Sequence, residues 1–230
     1  MKKLGILVAF LVLGVTSYGQ RNVETTESLS SGQELYVDFK FANDIKIEQW
    51  SGNNVQVKAT VNIDNGEGNE YFSLKTDRSS DQLRIESDFG DYFKKKNRWD
   101  NCNNVTDINY VVYVPRNATM KVKSISGDVT SDSFSGTLRT DLVSGDVTIK
   151  DYNGDLRLKT VSGDLDVTMN RARVDAKTLT GTIYSDLDID MGDREGKRSH
   201  GYNKVIGTVN NGGDLVVMET VSGNIYMRKG

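Results

Sequence analysis

The chain has 230 residues, 27% charged and 8% aromatic, with 29 Lys and Arg against 32 Asp and Glu and a formal net charge of −3. That mild acidity argues against nucleic acid as the main partner. Cys102 is the only cysteine, which excludes an internal disulfide and leaves stability to the core.

In chain order, Lys2 and Lys3 precede an apolar run from Leu4 to Val15, followed by Ser17, Tyr18 and Gly19. This reads as a signal peptide over residues 1–19, cleaved before Gln20, because the run is too short to span a bilayer and carries basic and small-residue flanks. The mature chain then has no transmembrane span, and losing two lysines takes the net charge from −3 to −5. Residues 20–31 are rich in Ser, Thr and Glu and read as a flexible lead-in. Residues 32–230 read as one domain, with irregular coils over 32–118 and regular ones over 119–230.

Alternation of apolar and polar residues begins at Leu35-Tyr36-Val37-Asp38-Phe39 and recurs at Asp44 to Gln49, Val55-Gln56-Val57, Leu83-Arg84-Ile85 and Tyr110 to Val114. Period two argues for strands. Trp50, two residues before Gly52, matches Phe134 and Tyr152 in the later repeats. Residues 88–104 interrupt the pattern, with Tyr92, Phe93 and Trp99 around Lys94, Lys95, Lys96 and Arg98. Aromatic faces stack on sugars and the cations suit acidic glycans or anionic head groups, so these residues form the candidate ligand site. The competing reading is that the aromatics pin a long loop over the core.

A glycine ladder follows. Gly127, Gly136, Gly145, Gly154 and Gly163 stand nine residues apart, Ala172 holds the next place, and Gly181 resumes the series. Alternate members differ: Ser126-Gly127-Asp128, Ser144-Gly145-Asp146 and Ser162-Gly163-Asp164 form one set, with a late copy at Ser222-Gly223-Asn224, while Ser135-Gly136-Thr137 and Asn153-Gly154-Asp155 form another. The true repeat is therefore eighteen residues, two strands and two turns, and units of this kind bury their apolar face by stacking. A β-solenoid with 18 residues per coil explains why like residues recur at that period; an antiparallel β-meander or sandwich is the alternative. Ile125, Val143, Val161, Leu179 and Val221 are expected to cap the narrow edges of the core.

Asp128, Asp146 and Asp164 would form one column, which invites calcium. The calcium-binding nonapeptide pattern is absent, so these carboxylates are expected to accept turn N–H bonds instead. His200 lies in a charged loop over 190–203 with no orienting carboxylate, and the Gly192 to Ser199 segment fails the Walker spacing. No cofactor is expected.

Asp44 to Val57, Tyr110 to Pro115 leading through Met120-Lys121-Val122 to Ser126-Gly127-Asp128, Asn211-Gly212-Gly213 and Thr220-Val221-Ser222-Gly223 resemble the putative adhesin family of bacterial domains of unknown function. The resemblance implies an exported, envelope-associated, right-handed single-stranded β-helix with no catalytic residues to carry over. The expected role is an adhesin-like binding or scaffold module in the periplasm, at the outer cell surface or outside the cell. Its expected partners are a glycan, an anionic cell-surface component or an envelope protein, with a homodimer through the solenoid end formed by the strand at Ile225 to Arg228. A carbohydrate-active β-helix enzyme and a purely structural envelope component are the alternatives. N-terminal sequencing of the exported protein should begin at Gln20; an intact Met1 in that fraction would overturn the leader reading.

Overall fold

The computed structural model describes residues 19–95, 105–192 and 203–230. The leader residues up to Tyr18, together with Lys96, Arg98, Trp99, Cys102 and His200, lie outside the described residues. The fold is all-β and solenoid-like, and among the described residues eighteen strands join in one continuous pairing network.

Through the glycine ladder the pairing is parallel and the offset is eighteen residues: Met120 pairs with Leu138 and Leu138 with Leu156 on one face, Val129 with Val147 and Val147 with Leu165 on the other. Each coil turns from the first face to the second at a Ser-Gly corner. Inward residues such as Leu156, Leu158, Leu165 and Val167 are fully buried between the faces, as period-two alternation requires.

Beyond Met169 the order of coils departs from the order of the sequence. Leu156 pairs with Val216, an offset of 60, and Val216 pairs with Val174, an offset of 42. The same holds on the second face, where Leu165 pairs with Ile225 and Ile225 with Ile183. The difference, 60 − 42 = 18, is the expected repeat, but a whole coil has been slipped into it. The chain leaves a gap after Met169, builds the coil containing Ala172–Thr178 and Ile183–Ser185, and returns through Leu215–Ser222 and Ile225–Lys229 to fill the gap.

Several expectations are corrected. Residues 20–31 are not a flexible lead-in: Arg21–Ser28 is a strand, antiparallel to Asn54–Ile63, because Val23 and the opposing Ala59 give it an apolar contact at the end of the stack. The N-terminal half is not simply a looser run of coils. Glu34–Trp50 pairs in parallel with Ala118–Ser131 along both faces, with an irregularity between Phe41 and Asp44. Outside it the strands reverse, Asn54–Ile63 against Thr106–Pro115 and Ser73–Arg78 against Gln82–Asp88. Trp50 lies at the end of its strand, opposite Pro115. Its ring lies 5.6 Å from that of Tyr113, and the Gln49 side chain exchanges two hydrogen bonds with the Ser135 backbone, at 2.6 and 2.7 Å.

The strand Ile225–Lys229, expected to form an exposed end, is paired on both sides. The strand is therefore not the solenoid end through which a homodimer was expected.

At the corners the coils meet backbone to backbone. A Cβ on Gly145 would overlap the Gly127 carbonyl oxygen, and one on Gly163 would overlap that of Gly145. Gly145 also adopts φ +142, in the region L side chains avoid. Gly145→Ala should therefore destabilise the protein by about 3 kcal/mol, since neither the clash nor the backbone strain can relax without parting the coils. A urea unfolding midpoint within error of the wild type would refute this.

Candidate docking surface

The corner gathers three ordered columns. The innermost is made of hydroxyls. Thr160 Oγ1 donates to the Gly145 carbonyl at 3.0 Å, Thr220 to that of Gly163 at 3.0 Å, and Thr178 to that of Gly223 at 2.8 Å. These threonines are buried, and each satisfies an inward-pointing carbonyl that would otherwise be costly. The hydroxyl column was missed from sequence, although its signal is there: Thr160, Thr178 and Thr220 each stand three residues before a corner glycine, as does Ser124.

On the far side of the glycine, carboxylates join successive coils. The N–H of Asp146 donates to Asp128 Oδ1 at 2.9 Å, that of Asp164 to Asp146 at 2.7 Å, that of Asn224 to Asp164 at 2.6 Å, and that of Thr182 to Asn224 at 3.0 Å. Asp128, Asp146 and Asp164 do accept backbone N–H bonds, but from the next coil rather than from their own turn.

The third column is aliphatic and faces outward. Ile125, Val143, Val161, Leu179 and Val221 are between 44% and 52% exposed, so they do not cap the core. Strand parity is the reason. Leu156, Leu158 and Thr160 point inward, and Val161, an odd number of residues from Leu158, must point out. The register orders the ridge as Ile125, Val143, Val161, Val221, Leu179.

Two residues earlier on the same strands runs a charged column. Pairing places Asp38, Lys123, Asp141, Lys159, Glu219 and Lys177 side by side, so the sign alternates at every step. Lys159 and Glu219 form an ion pair at 2.8 Å. Between this column and the ridge lies an open trough of about 320 Å³, floored by Leu142, Thr160 and Thr220.

The candidate ligand segment is arranged otherwise. Tyr92 is only 8% exposed and its hydroxyl donates to Asp64 Oδ2 at 2.6 Å. Phe93 sits in an aromatic cluster, 5.3 Å from Phe89 and 5.6 Å from Phe41. Both rings anchor the short helix Tyr92–Lys95 to the core, Tyr92 buried and Phe93 partly buried against it. Lys94 is exposed and 3.6 Å from Asp91, and Lys95 closes the helix.

A polar hollow of about 590 Å³ at the opposite corner contains Tyr152, Arg171 and Asp214. Its groups hold coils together: Asp214 accepts the Gly154 N–H at 2.7 Å, and Arg171 Nε donates to the Gly212 carbonyl at 3.2 Å. Burial, and then the Asp214 carboxylate, push the Tyr152 phenol up to about 12.

Stacked coils with glycine corners and inter-coil carboxylate bonds define a solenoid-like all-β domain built to present ordered columns of side chains. The model of the Toastrack family, DUF4097, matches residues 116–228. No curated protein matches the sequence. Among solved structures, a putative cell adhesion protein from Clostridium sporogenes superposes with a TM-score of 0.59 at 13% identity, covering 91% of this chain and 100% of that one. A putative adhesin from Bacteroides fragilis scores 0.33 at 11% identity, over 91% and 97% of the two chains. A putative lipid binding protein from Parabacteroides distasonis scores 0.26 at 11%, over 91% and 96%. The first of these likenesses is one of fold alone.

The carboxylate ladder predicts opposite outcomes for two substitutions. Asp146→Asn keeps the Oδ1 acceptor and removes a like charge from the column, so the thermal midpoint should hold or rise. Asp146→Ala strips the Asp164 N–H of its partner and should cost about 1 kcal/mol. A chelator should change neither; a fall of many degrees on adding one would establish a cation in the column.

Proposed function

We propose that the protein is an exported, envelope-associated, adhesin-like binding or scaffold module, built on a right-handed β-helix with 18-residue coils and having no catalytic step of its own. The observation that carries this reading is the aliphatic ridge. Five side chains in successive coils stand about half exposed on a rigid, fully paired face. Covering the exposed half of each gains about 1 kcal/mol, so a continuous ridge suits contact with another surface. The flanking column balances its charges, which favours an envelope protein over a polyanion as the partner of this face. The exposed Lys94 is where an acidic glycan or anionic head group would meet the same module. Adhesion, named for the Clostridium sporogenes protein of similar fold, is in keeping with this role.

The test is retention on washed cell envelopes, compared between the wild type and Val143→Glu/Val161→Glu. Both positions are exposed, so the variant should fold normally and lose about 10-fold in retention, equivalent to about 1.4 kcal/mol. Equal retention would overturn the ridge as the binding face. Release of products from acidic polysaccharides incubated with the protein would overturn the non-catalytic reading.

A further inference from the structure

Alternation over an even number of places gives the charged column a symmetry. Its four inner members run Lys123, Asp141, Lys159, Glu219, that is plus, minus, plus, minus. Reversed in direction, the same series reads minus, plus, minus, plus, so the column is complementary to an antiparallel copy of itself. The outer members continue the rule: Asp38 stands opposite Lys177, and beyond them Glu86 stands opposite Lys204. The outer charges are already engaged within the chain, Arg84 with Asp38 and Glu86 and Lys204 with Asp175, as Lys159 is with Glu219 among the inner four.

We infer that the ridge and its charged column form the interface between two copies of this chain, packed face to face and antiparallel about a twofold axis perpendicular to the stack. The proposal rests on the reading of the ridge as a docking surface and names its partner. A twofold axis in the interface plane keeps each column facing itself in reverse. Asp141 then meets Lys159 of the other copy and Lys123 meets its Glu219. On the ridge, Val143 meets Val161 and Ile125 meets Val221. A self-complementary patch of this kind closes as a dimer.

The next column inward sets the limit of the contact, because Arg139 would face Arg157 of the other copy. Arg139 is drawn aside by Glu34 at 2.9 Å, and both arginines belong to the rim. A strip about 30 Å long and two columns wide is smaller than the roughly 800 Å² per partner of a standard interface, which makes the association weak and concentration-dependent.

Sedimentation equilibrium of the purified protein, with no envelope or ligand present, tests this directly. The average mass should climb towards twice the monomer between about 10 μM and 1 mM, and fall again at high salt as the charges are screened. Val161→Glu should remain monomeric with an unchanged thermal midpoint. Asp141→Lys alone and Lys159→Asp alone should each be monomeric, since each sets like charges against each other twice. Mixed together they should associate, because one then presents two lysines to the other's two aspartates.

A wild type that stays monomeric throughout overturns the proposal. So does association that survives Val161→Glu, or a mixture that fails to restore it. Mass is read without any binding partner, so this result stands apart from the envelope assay.

Discussion

The structure depends on one close approach, the stacking of a corner peptide directly on the corner peptide of the coil beneath. At Gly145 and Gly163 the space a Cβ would need is occupied by the carbonyl oxygen of the preceding corner glycine. With no side chain in the way, the two faces can hold strand spacing right up to the bend, and the inward residues of adjacent coils stay in contact. The cost is a carbonyl turned towards the interior, and at Gly145, Gly163 and Gly223 the threonine column repays it. Glycine and threonine are thus two halves of one device, and the carboxylates beyond the glycine tie the next N–H into the same stack.

Two electrostatic gains accompany the insertion of the last coil. Simple stacking at eighteen residues would set Lys177 beside Lys159. With Leu215–Ser222 between them, Glu219 separates the two lysines and pairs with one at 2.8 Å. The other face gains as well: Tyr226 comes to lie beside Tyr184, rings 5.2 Å apart, and Arg228 reaches Asp166 at 2.7 Å. Like charges directly opposite on neighbouring strands are destabilising, and opposite charges and aromatic pairs are favourable. The inserted order satisfies both preferences at these positions, although it leaves Lys177 opposite Lys204 and parts Arg157 from Asp175 by Val217.

How much was legible in the sequence follows from the same distinction. Period-two alternation and the eighteen-residue repeat are local, and they correctly paired Leu138 with Leu156 and Val147 with Leu165. The late copy at Ser222-Gly223-Asn224 was visible as a repeat, but its place in the stack depends on which side chains it meets, and those lie 42 and 60 residues away. The outward direction of Val161 is legible in strand parity, although an apolar residue two places before a glycine suggests a core edge. Tyr92 and Phe93 were conspicuous as an aromatic pair near lysines. Their burial could be settled only by Phe41 and Asp64, which approach from distant parts of the chain.

The two kinds of surface on this molecule are managed in opposite ways. Both ends of the stack turn to antiparallel strands: Arg21–Ser28, which carries Glu24 and Glu27, closes one face, and Asn203–Val209 with the two-residue Ile189–Asp190 closes another. Charged and very short edge strands discourage another chain from extending the sheet. A solenoid with open ends would add copies end to end without limit, since that contact does not close. The side of the stack has no free backbone to extend, so apolar side chains can be exposed there without inviting fibre growth. The ridge lies on the only kind of surface where this fold can present apolar groups and still limit the number of copies that meet.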